Sequence, residues 1–248
     1  MCKVMGIVNV TPDSFSDGGR FFRPEEAIRR AKNLVADGAD AIDLGGESTR
    51  PGATPIGWEE EWGRLEPVLA ALADLARLDW PAGVRLSVDT YHPETAKRAV
   101  EAGADIINCV YPEPIPEMVK LLKGNEVELV VPYRLGDKDL RREMEDAGVA
   151  ERLYLDPMIG FGTTREEDVA LLRSIPELAK RGRVLVGASR KRIVKKLVGE
   201  KSAVGKSVGG NVAIAVWAAM NGASVVRVHD VKETVQALRV VEALAGDL

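Results

Sequence analysis

Short apolar runs rich in valine and isoleucine alternate along the chain with longer amphipathic stretches. Each run is apolar along most of its length instead of alternating with polar residues, which is typical of parallel strands covered on both faces. The amphipathic stretches between the runs predict helices, so that a helix follows each strand. The runs predict eight β-strands, at residues 3–10, 41–45, 84–89, 105–110, 128–132, 152–156, 183–187 and 224–228.

The boundaries of two predicted helices are the clearest. The stretch 24–37 opens with a proline and two glutamates, and the stretch 93–102 ends before Gly103. Eight strand–helix units within 248 residues predict an α/β fold, a TIM (β/α)8 barrel, as a single domain over residues 1–248. A doubly wound parallel sheet is the alternative architecture.

The composition of the chain indicates which kinds of molecule the protein binds. The net charge is −4, from 34 basic and 38 acidic residues. The sequence contains no run of five like charges, so nothing in its charge pattern indicates a nucleic-acid partner. The longest apolar run, 212–220, is far shorter than the ~20 residues of a membrane span, and the amino terminus lacks the pattern of a signal peptide. Two cysteines and two histidines without metal-ligand spacing argue against a structural zinc site. We expect a soluble, cytoplasmic protein that acts on small molecules, with no nucleic-acid and no membrane partner.

Polar residues recur where the predicted strands end. In a (β/α)8 barrel the loops after the strands meet at one mouth, where the chemistry takes place. An ordinary polar loop explains any one of these positions equally well, but recurrence at eight strand ends favours a functional site. The strand-end residues are Asn9, Asp89, Asn108, Tyr133, Asp156 and the runs that begin at Gly45, Gly187 and Arg227.

Four of these stretches resemble the dihydropteroate synthase family, the sulfonamide-inhibited enzymes of folate biosynthesis. They read VMGIVNVTPDSFSDGG at 4–19, DLGGESTRPGA at 43–53, GASRK at 187–191 and RVHDVKETVQALRV at 227–240. The resemblance implies a TIM barrel. It also implies a reaction that joins p-aminobenzoate to 6-hydroxymethyl-7,8-dihydropterin pyrophosphate, forming 7,8-dihydropteroate and releasing pyrophosphate.

The resemblance assigns three residues to the pterin. Asp156 and Asn108 match family positions that bind it, and a carboxylate can accept hydrogen bonds from both the 2-amino group and the ring N–H. Asp89 matches a third such position, and its charge would favour a cation developing on the pterin.

Other residues are assigned to the anion and its metal ion. Arg227 and His229 lie two apart on the last predicted strand and so point to one face, and the family uses this pair for pyrophosphate. Arg50 is a further cation for this anion. Asn9 matches the family's ligand for Mg²⁺, an ion that takes oxygen ligands and keeps several waters.

Two stretches, 8–19 and 45–53, match mobile loops that close over bound substrates in the family. Asp13, Thr49 and Arg50 would supply contacts once the loops are closed. The arylamine site is assigned to Lys191, which also contacts pterin, to Ser189 near the carboxylate and to Phe161 as an aromatic wall. The resemblance gives chemical roles to Asp89, Lys191, Arg50 and Asp13 and allows a homodimer.

The match departs from the family pattern in two places. Residues 131–148 are shorter than the family's segment and lack its Met-His motif, and Cys109 stands where an aspartate is common. Two alternatives stay open. A pterin-dependent methyltransferase of the related barrels would share Asp89, Asn108 and Asp156 but not the loop motifs, and a non-catalytic pterin or phosphate binder would tolerate loss of Asn9 and Lys191.

Overall fold

The computed structural model describes residues 2–11, 24–48, 53–122, 124–134, 142, 145–146, 148–199 and 207–246. Residues 12–19 and 49–52 of the two predicted closing loops, among them Asp13, Thr49 and Arg50, lie outside these described residues.

All eight predicted strands are present, and their ends differ from the prediction by at most two residues. The largest difference is in the fourth strand, predicted over 105–110, because Cys109 and Val110 are buried beyond the last strand residue. These two buried residues extended the apolar run past the end of β4, so the strand was predicted too long. The strands are β1 Lys3–Asn9, β2 Ala41–Gly45, β3 Arg85–Asp89, β4 Ile106–Asn108, β5 Glu128–Pro132, β6 Leu153–Asp156, β7 Arg183–Val186 and β8 Val225–Val228.

The strands form a closed barrel in the order β1 to β8, and the pairs whose register is known are parallel. This closed order confirms the TIM barrel and excludes the open doubly wound sheet. The register places Asp89 beside both Gly45 of β2 and Asn108 of β4. Three neighbouring strands therefore end at the same level.

The two predicted helices with clear boundaries are confirmed, each ending one residue before the predicted end. The second stops there because Gly103 adopts a left-handed conformation with φ of 99°. No helix in the described ranges is long and apolar enough to cross a membrane. The helices are α1 Pro24–Ala36, α2 Trp58–Leu78, α3 Pro93–Glu101, α4 Ile115–Leu122, α5 Arg165–Arg173, α6 Ile175–Ala179, α7 Arg192–Val198, α8 Val208–Met220 and α9 Val231–Ala245, with a 3₁₀ turn at Ala150–Arg152.

The chain divides into two compact units, each with buried apolar strands and polar strand ends. In the first, Ile42 and Leu86 of neighbouring strands and Leu65 of α2 are at most 2% exposed. In the second, Val184 and Leu185 of β7 are fully buried. Full burial of one such side chain contributes about 1.5–3 kcal/mol to the free energy of folding. Burial along the strands therefore offsets the cost of placing polar groups at the strand ends. The amino-terminal unit comprises Ile7–Ala36 and Asp40–Val131, and the carboxyl-terminal unit comprises Met1–Gly6, Asp37–Ala39 and Pro132–Leu248.

Candidate active site

Three predicted site residues end strands of the amino-terminal unit. Asn9, Asp89 and Asn108 are the last residues of β1, β3 and β4. A Cβ atom placed on Gly45 would lie 4.0 Å from Asn9 Oδ1 and 4.0 Å from Asp89 Oδ2. The glycine therefore leaves open a small space that is bordered by an amide oxygen and a carboxylate oxygen.

Asn108 presents a buried acceptor. The residue is 1% exposed, and its Nδ2 donates to Oδ2 of Asp43 at 3.4 Å. Because a carboxylate can only accept, Asp43 fixes which way the amide points. Asn108 Oδ1 is buried and finds no donor among the described residues. A buried unsatisfied acceptor costs about 1–3 kcal/mol, a cost that an N–H group of a ligand would remove.

Asp43 supports this arrangement from the middle of β2. It is fully buried, and it also accepts a hydrogen bond from Ser87 Oγ at 2.5 Å. No role for Asp43 was predicted from the sequence. The available signal was a carboxylate inside the otherwise apolar strand AIDLG, where a buried charge requires hydrogen-bonding partners.

A second group of residues joins the ends of the segment after β2. The Glu47 carboxylate accepts from Tyr91 Oη at 2.6 Å and from the Ile56 backbone N–H at 3.3 Å, and it lies 3.1 Å from His92 Nε2. Burial, and then the bond to Glu47, raises the pKa of Tyr91, so the phenol remains a donor. No individual role for Glu47, Tyr91 or His92 was predicted from the sequence.

Glu61 on α2 lies against Gly46, where an added Cβ atom would be 3.0 Å from Glu61 Cγ. The side chain is fully buried, and Thr90 Oγ1 donates to its Oε2 at 2.7 Å. Burial raises the pKa of Glu61, and the hydroxyls of Thr90 and Thr95 lower it only in part. The surroundings of Glu61 therefore favour the protonated acid.

Asp156 ends β6 in the carboxyl-terminal unit. It is 6% exposed, and its Oδ1 accepts from the Met158 backbone N–H at 2.7 Å. Burial raises the pKa of Asp156, while the charge of Lys191, the Met158 bond and the charge of Arg227 lower it without cancelling the effect. This desolvated carboxyl group can gain stability from a ligand that donates hydrogen bonds to it.

Lys191 and Phe161 are brought together on the loops after β7 and β6. Lys191 Nζ donates to the Ile159 carbonyl at 2.6 Å and lies 4.4 Å from the centre of the Phe161 ring, a cation–π contact. Gly160, with φ of 79°, makes room for this side chain, because a Cβ there would be 3.0 Å from Lys191 Cδ. The Gly160 N–H donates to the buried carboxylate of Asp168 on α5 at 2.7 Å, which anchors the loop.

Ser189 and His229 also meet in this unit. Ser189 Oγ accepts from the His229 backbone N–H at 3.2 Å and lies 3.1 Å from His229 Nδ1. Arg227 is partly exposed two residues earlier on β8. From the sequence, Ser189 and His229 are expected to bind different ligands, and a contact between them is not expected.

The chain matches a family model described as pterin binding enzyme over residues 5–138 and 134–229. Dihydropteroate synthase of Escherichia coli K12 is 40% identical over 265 residues, which cover 97% of this chain and 90% of that protein. A solved Xanthomonas albilineans dihydropteroate synthase with 4-aminobenzoic acid is 39% identical with a TM-score of 0.83, covering 98% of this chain and 93% of that one.

A second solved structure carries the family's product. Burkholderia cenocepacia dihydropteroate synthase complexed with 7,8-dihydropteroate is 34% identical with a TM-score of 0.83. The match covers 100% of this chain and 92% of that one. Because the likeness in sequence and in fold extends over nearly the whole chain, the chain belongs to the pterin binding enzyme family, in which these relatives are dihydropteroate synthases.

Proposed function

We propose that this chain is a dihydropteroate synthase, with residues 1–248 forming one catalytic domain. It condenses 6-hydroxymethyl-7,8-dihydropterin pyrophosphate with p-aminobenzoate to 7,8-dihydropteroate and pyrophosphate. The observation that carries the proposal is the buried Oδ1 of Asn108, which Asp43 orients and for which no described residue supplies a donor. A pterin edge supplies such a donor.

The pterin is recognised by acceptors held in place by the fold. Asn108 Oδ1 accepts one N–H group, and the Asp156 carboxylate accepts the 2-amino group and the ring N–H together. Such a bidentate contact stabilises ionised Asp156 and so offsets the effect of burial on its pKa. Asn108 and Asp156 therefore select a ring that presents donors.

The reaction breaks the bond between the pterin methylene carbon and the pyrophosphate oxygen. The amine nitrogen of p-aminobenzoate forms the new bond to that carbon and then loses a proton to solvent. Asp89 favours positive charge on the pterin as the anion leaves. Arg227 and His229 donate to the departing pyrophosphate, whose oxygens are strong acceptors.

The arylamine is assigned to the loops after β6 and β7. The Phe161 ring forms the aromatic wall of the arylamine site, and Lys191 Nζ lies 4.4 Å from the centre of that ring. Lys191 Nζ donates to the Ile159 carbonyl, and its remaining two protons are assigned to a pterin acceptor. Ser189 contributes its hydroxyl to the carboxylate of p-aminobenzoate. The proposed contacts of Asp13, Thr49 and Arg50 involve residues outside the described ranges.

Mg²⁺ is the proposed cofactor. Asn9 Oδ1 and Asp89 Oδ2 border the space beside Gly45, and oxygen donors of this kind suit a hard cation that keeps several waters. The described residues contain no cluster of three or more His, Cys, Asp or Glu side chains that could hold a metal ion. A site that Asn9 shares with pyrophosphate oxygens needs no such cluster. When bound, Mg²⁺ would offset the charge of the leaving group.

We also propose that the enzyme is a cytoplasmic homodimer. Exposed apolar side chains occur on α8 and α9, where Trp217 is 49%, Met220 68% and Val240 58% exposed. These two helices pack against each other, so a second copy could cover their outer surface. Cys2 and Cys109 are not joined in a disulfide, which suits a reducing compartment. Light scattering of the purified protein and of Trp217→Lys tests the dimer, which the variant should dissociate.

Pyrophosphate release tests the proposed function. The protein is incubated with the pterin pyrophosphate, p-aminobenzoate and Mg²⁺, and release should require both substrates. Lys191→Ala should lower the rate at least tenfold, whereas Lys195→Ala, an equal loss of charge on α7, should stay within about threefold. Pterin binding without release would indicate a non-catalytic binder. Methyl transfer from a methylated pterin would instead indicate the related methyltransferases.

A further inference from the structure

The loop after β7 contains a turn with an unexpected residue. The Lys191 backbone N–H donates to the Ala188 carbonyl at 3.2 Å, which closes a four-residue turn. Arg190, the third residue, has φ of 60°. Turns with positive φ at this position favour glycine or asparagine, because a Cβ atom is strained there by about 1–2 kcal/mol. Arginine at this position therefore requires support from its surroundings.

Two residues from distant parts of the sequence provide that support. The Arg190 backbone N–H donates to Asn211 Oδ1 at 2.9 Å, and its guanidinium donates to Asp230 Oδ1 at 2.7 Å. Asn211 Nδ2 in turn donates to Asp230 Oδ2 at 2.8 Å, which closes a ring of three residues through the backbone N–H and the guanidinium of Arg190. Asn211 is 4% exposed on α8, and Asp230 immediately precedes α9. The ring joins the loop after β7 to the starts of two helices.

The charge of this ring is balanced. Burial acts to raise the pKa of Asp230, but the hydrogen bonds from Arg190 and Asn211, together with the charges of Arg190 and His229, keep the pKa below its ordinary value. Asp230 is therefore a carboxylate at neutral pH, and the guanidinium of Arg190 has a permanent partner.

The neighbours of Arg190 on both sides are candidate site residues. Ser189 contacts His229 Nδ1, whereas Lys191 reaches the Ile159 carbonyl and the Phe161 ring. The turn makes these two side chains diverge toward different partners. A turn that relaxed at Arg190 would move both of them together.

We propose that Arg190 is a positioning residue, which holds the turn through Asp230 and Asn211 so that Ser189 and Lys191 point to their separate partners. This inference rests on the proposed synthase function for its effect on catalysis. The ring of contacts and its effect on His229 do not depend on that function.

The position of Ser189 has a consequence for His229. Ser189 Oγ accepts from the His229 backbone N–H, and its own proton is assigned to a hydrogen bond with Nδ1. The neutral imidazole then carries its proton on Nε2. Arg190, by fixing Ser189, keeps His229 in the tautomer whose Nε2–H can donate to an anion.

Variants at Arg190 distinguish the effect of its backbone conformation from the effect of its guanidinium group. Arg190→Gly accepts the positive φ but lacks the guanidinium, and Arg190→Ala lacks the guanidinium and retains the strain. We expect both to lower kcat/KM by at least tenfold. Asp230→Asn should have a comparable effect, and the Arg190→Gly/Asp230→Asn double variant should be no worse than either single variant. Arg192→Ala, an exposed arginine two residues on, is the matched control and should stay within about threefold.

Nuclear magnetic resonance provides a readout that does not need synthase activity. The chain has only two histidines, so the ring signals of His229 and His92 can be assigned by substitution. In Arg190→Gly the ring carbon and nitrogen shifts of His229 should move away from those of the Nε2–H tautomer, while those of His92 stay unchanged.

The outcomes separate the two claims. An inactive wild type whose His229 signal still responds to Arg190→Gly would refute the proposed function and support the positioning role. An active wild type would overturn the positioning role if Arg190→Gly kept its activity and its His229 signal. Full activity in Arg190→Gly together with loss in Arg190→Ala would also overturn it, because backbone strain alone would then explain the effect.

Discussion

Replacing Asp156 with asparagine should weaken pterin binding and stabilise the fold at the same time. Asparagine keeps the shape and one acceptor oxygen, but it places an NH₂ group where the pterin presents a second donor. The same change removes a carboxyl group that is 6% exposed and whose pKa is raised by burial. A residue with only a structural role would not affect binding and stability in opposite directions.

The magnitude follows from the contacts. One unpaired buried donor, together with the loss of charge assistance, costs ~2–4 kcal/mol of binding free energy. At about 1.4 kcal/mol per tenfold, the Kd for the pterin should rise roughly 30- to 700-fold. The stability effect depends on pH, because an acid with a raised folded pKa destabilises the fold as pH rises from its unfolded pKa through the folded value. The gain from Asp156→Asn should therefore be absent in acid and appear toward neutral pH.

Calorimetric titration with 6-hydroxymethyl-7,8-dihydropterin measures the binding, and thermal unfolding at several pH values measures the stability. Asp105→Asn is the matched control, since Asp105 also accepts a backbone N–H, that of Leu86 at 2.7 Å, but lies at the start of β4. The control should bind the pterin normally. An Asp156→Asn protein that binds within threefold of wild type would refute the assignment of Asp156 to the pterin.

Three further predictions concern charge and burial. Arg227→Ala should weaken binding of the pyrophosphate ester far more than that of the free hydroxymethyl pterin; equal losses in calorimetry would contradict the anion role. The free energy of unfolding of the wild type should fall as pH rises through the raised pKa of Glu61, because the buried carboxyl group must then ionise. Glu61→Gln should lose less stability over the same range, and denaturant titrations at about pH 5 and pH 8 measure both changes. Cys109 is 1% exposed with its pKa raised to about 12, so native protein should be alkylated at Cys2 alone; rapid modification of Cys109, seen by mass spectrometry, would show that this burial is wrong.

The fold could be predicted from the sequence because its signals are local. The strands of the barrel are rich in buried apolar residues, and the first turn of α1 carries Pro24 followed by Glu25 and Glu26. The fourth strand was predicted too long, because buried residues such as Cys109 and Val110 extend past the point where β4 ends. An apolar pattern indicates which residues are buried, but it does not indicate where a strand ends, because buried residues also occur in the loops.

The residues at strand ends could be predicted, but their partners could not. Ser189 and His229 are 40 residues apart, and their contact depends on how β7 and β8 align. The left-handed turn at Arg190 runs against local preference, and its support comes from two residues that are distant in the sequence, Asn211 and Asp230. The role of Asp43 likewise follows from its register with Ser87, which no single strand encodes.

Identification of the product by mass spectrometry tests the central claim most directly. The protein is incubated with the pterin pyrophosphate, Mg²⁺ and p-aminobenzoate carrying ¹³C in its ring. The proposed function predicts labelled 7,8-dihydropteroate in an amount equal to the pyrophosphate released. Pyrophosphate accompanied by hydroxymethyl dihydropterin alone, with all of the label left in p-aminobenzoate, would contradict it, because water and not the arylamine would then be the acceptor.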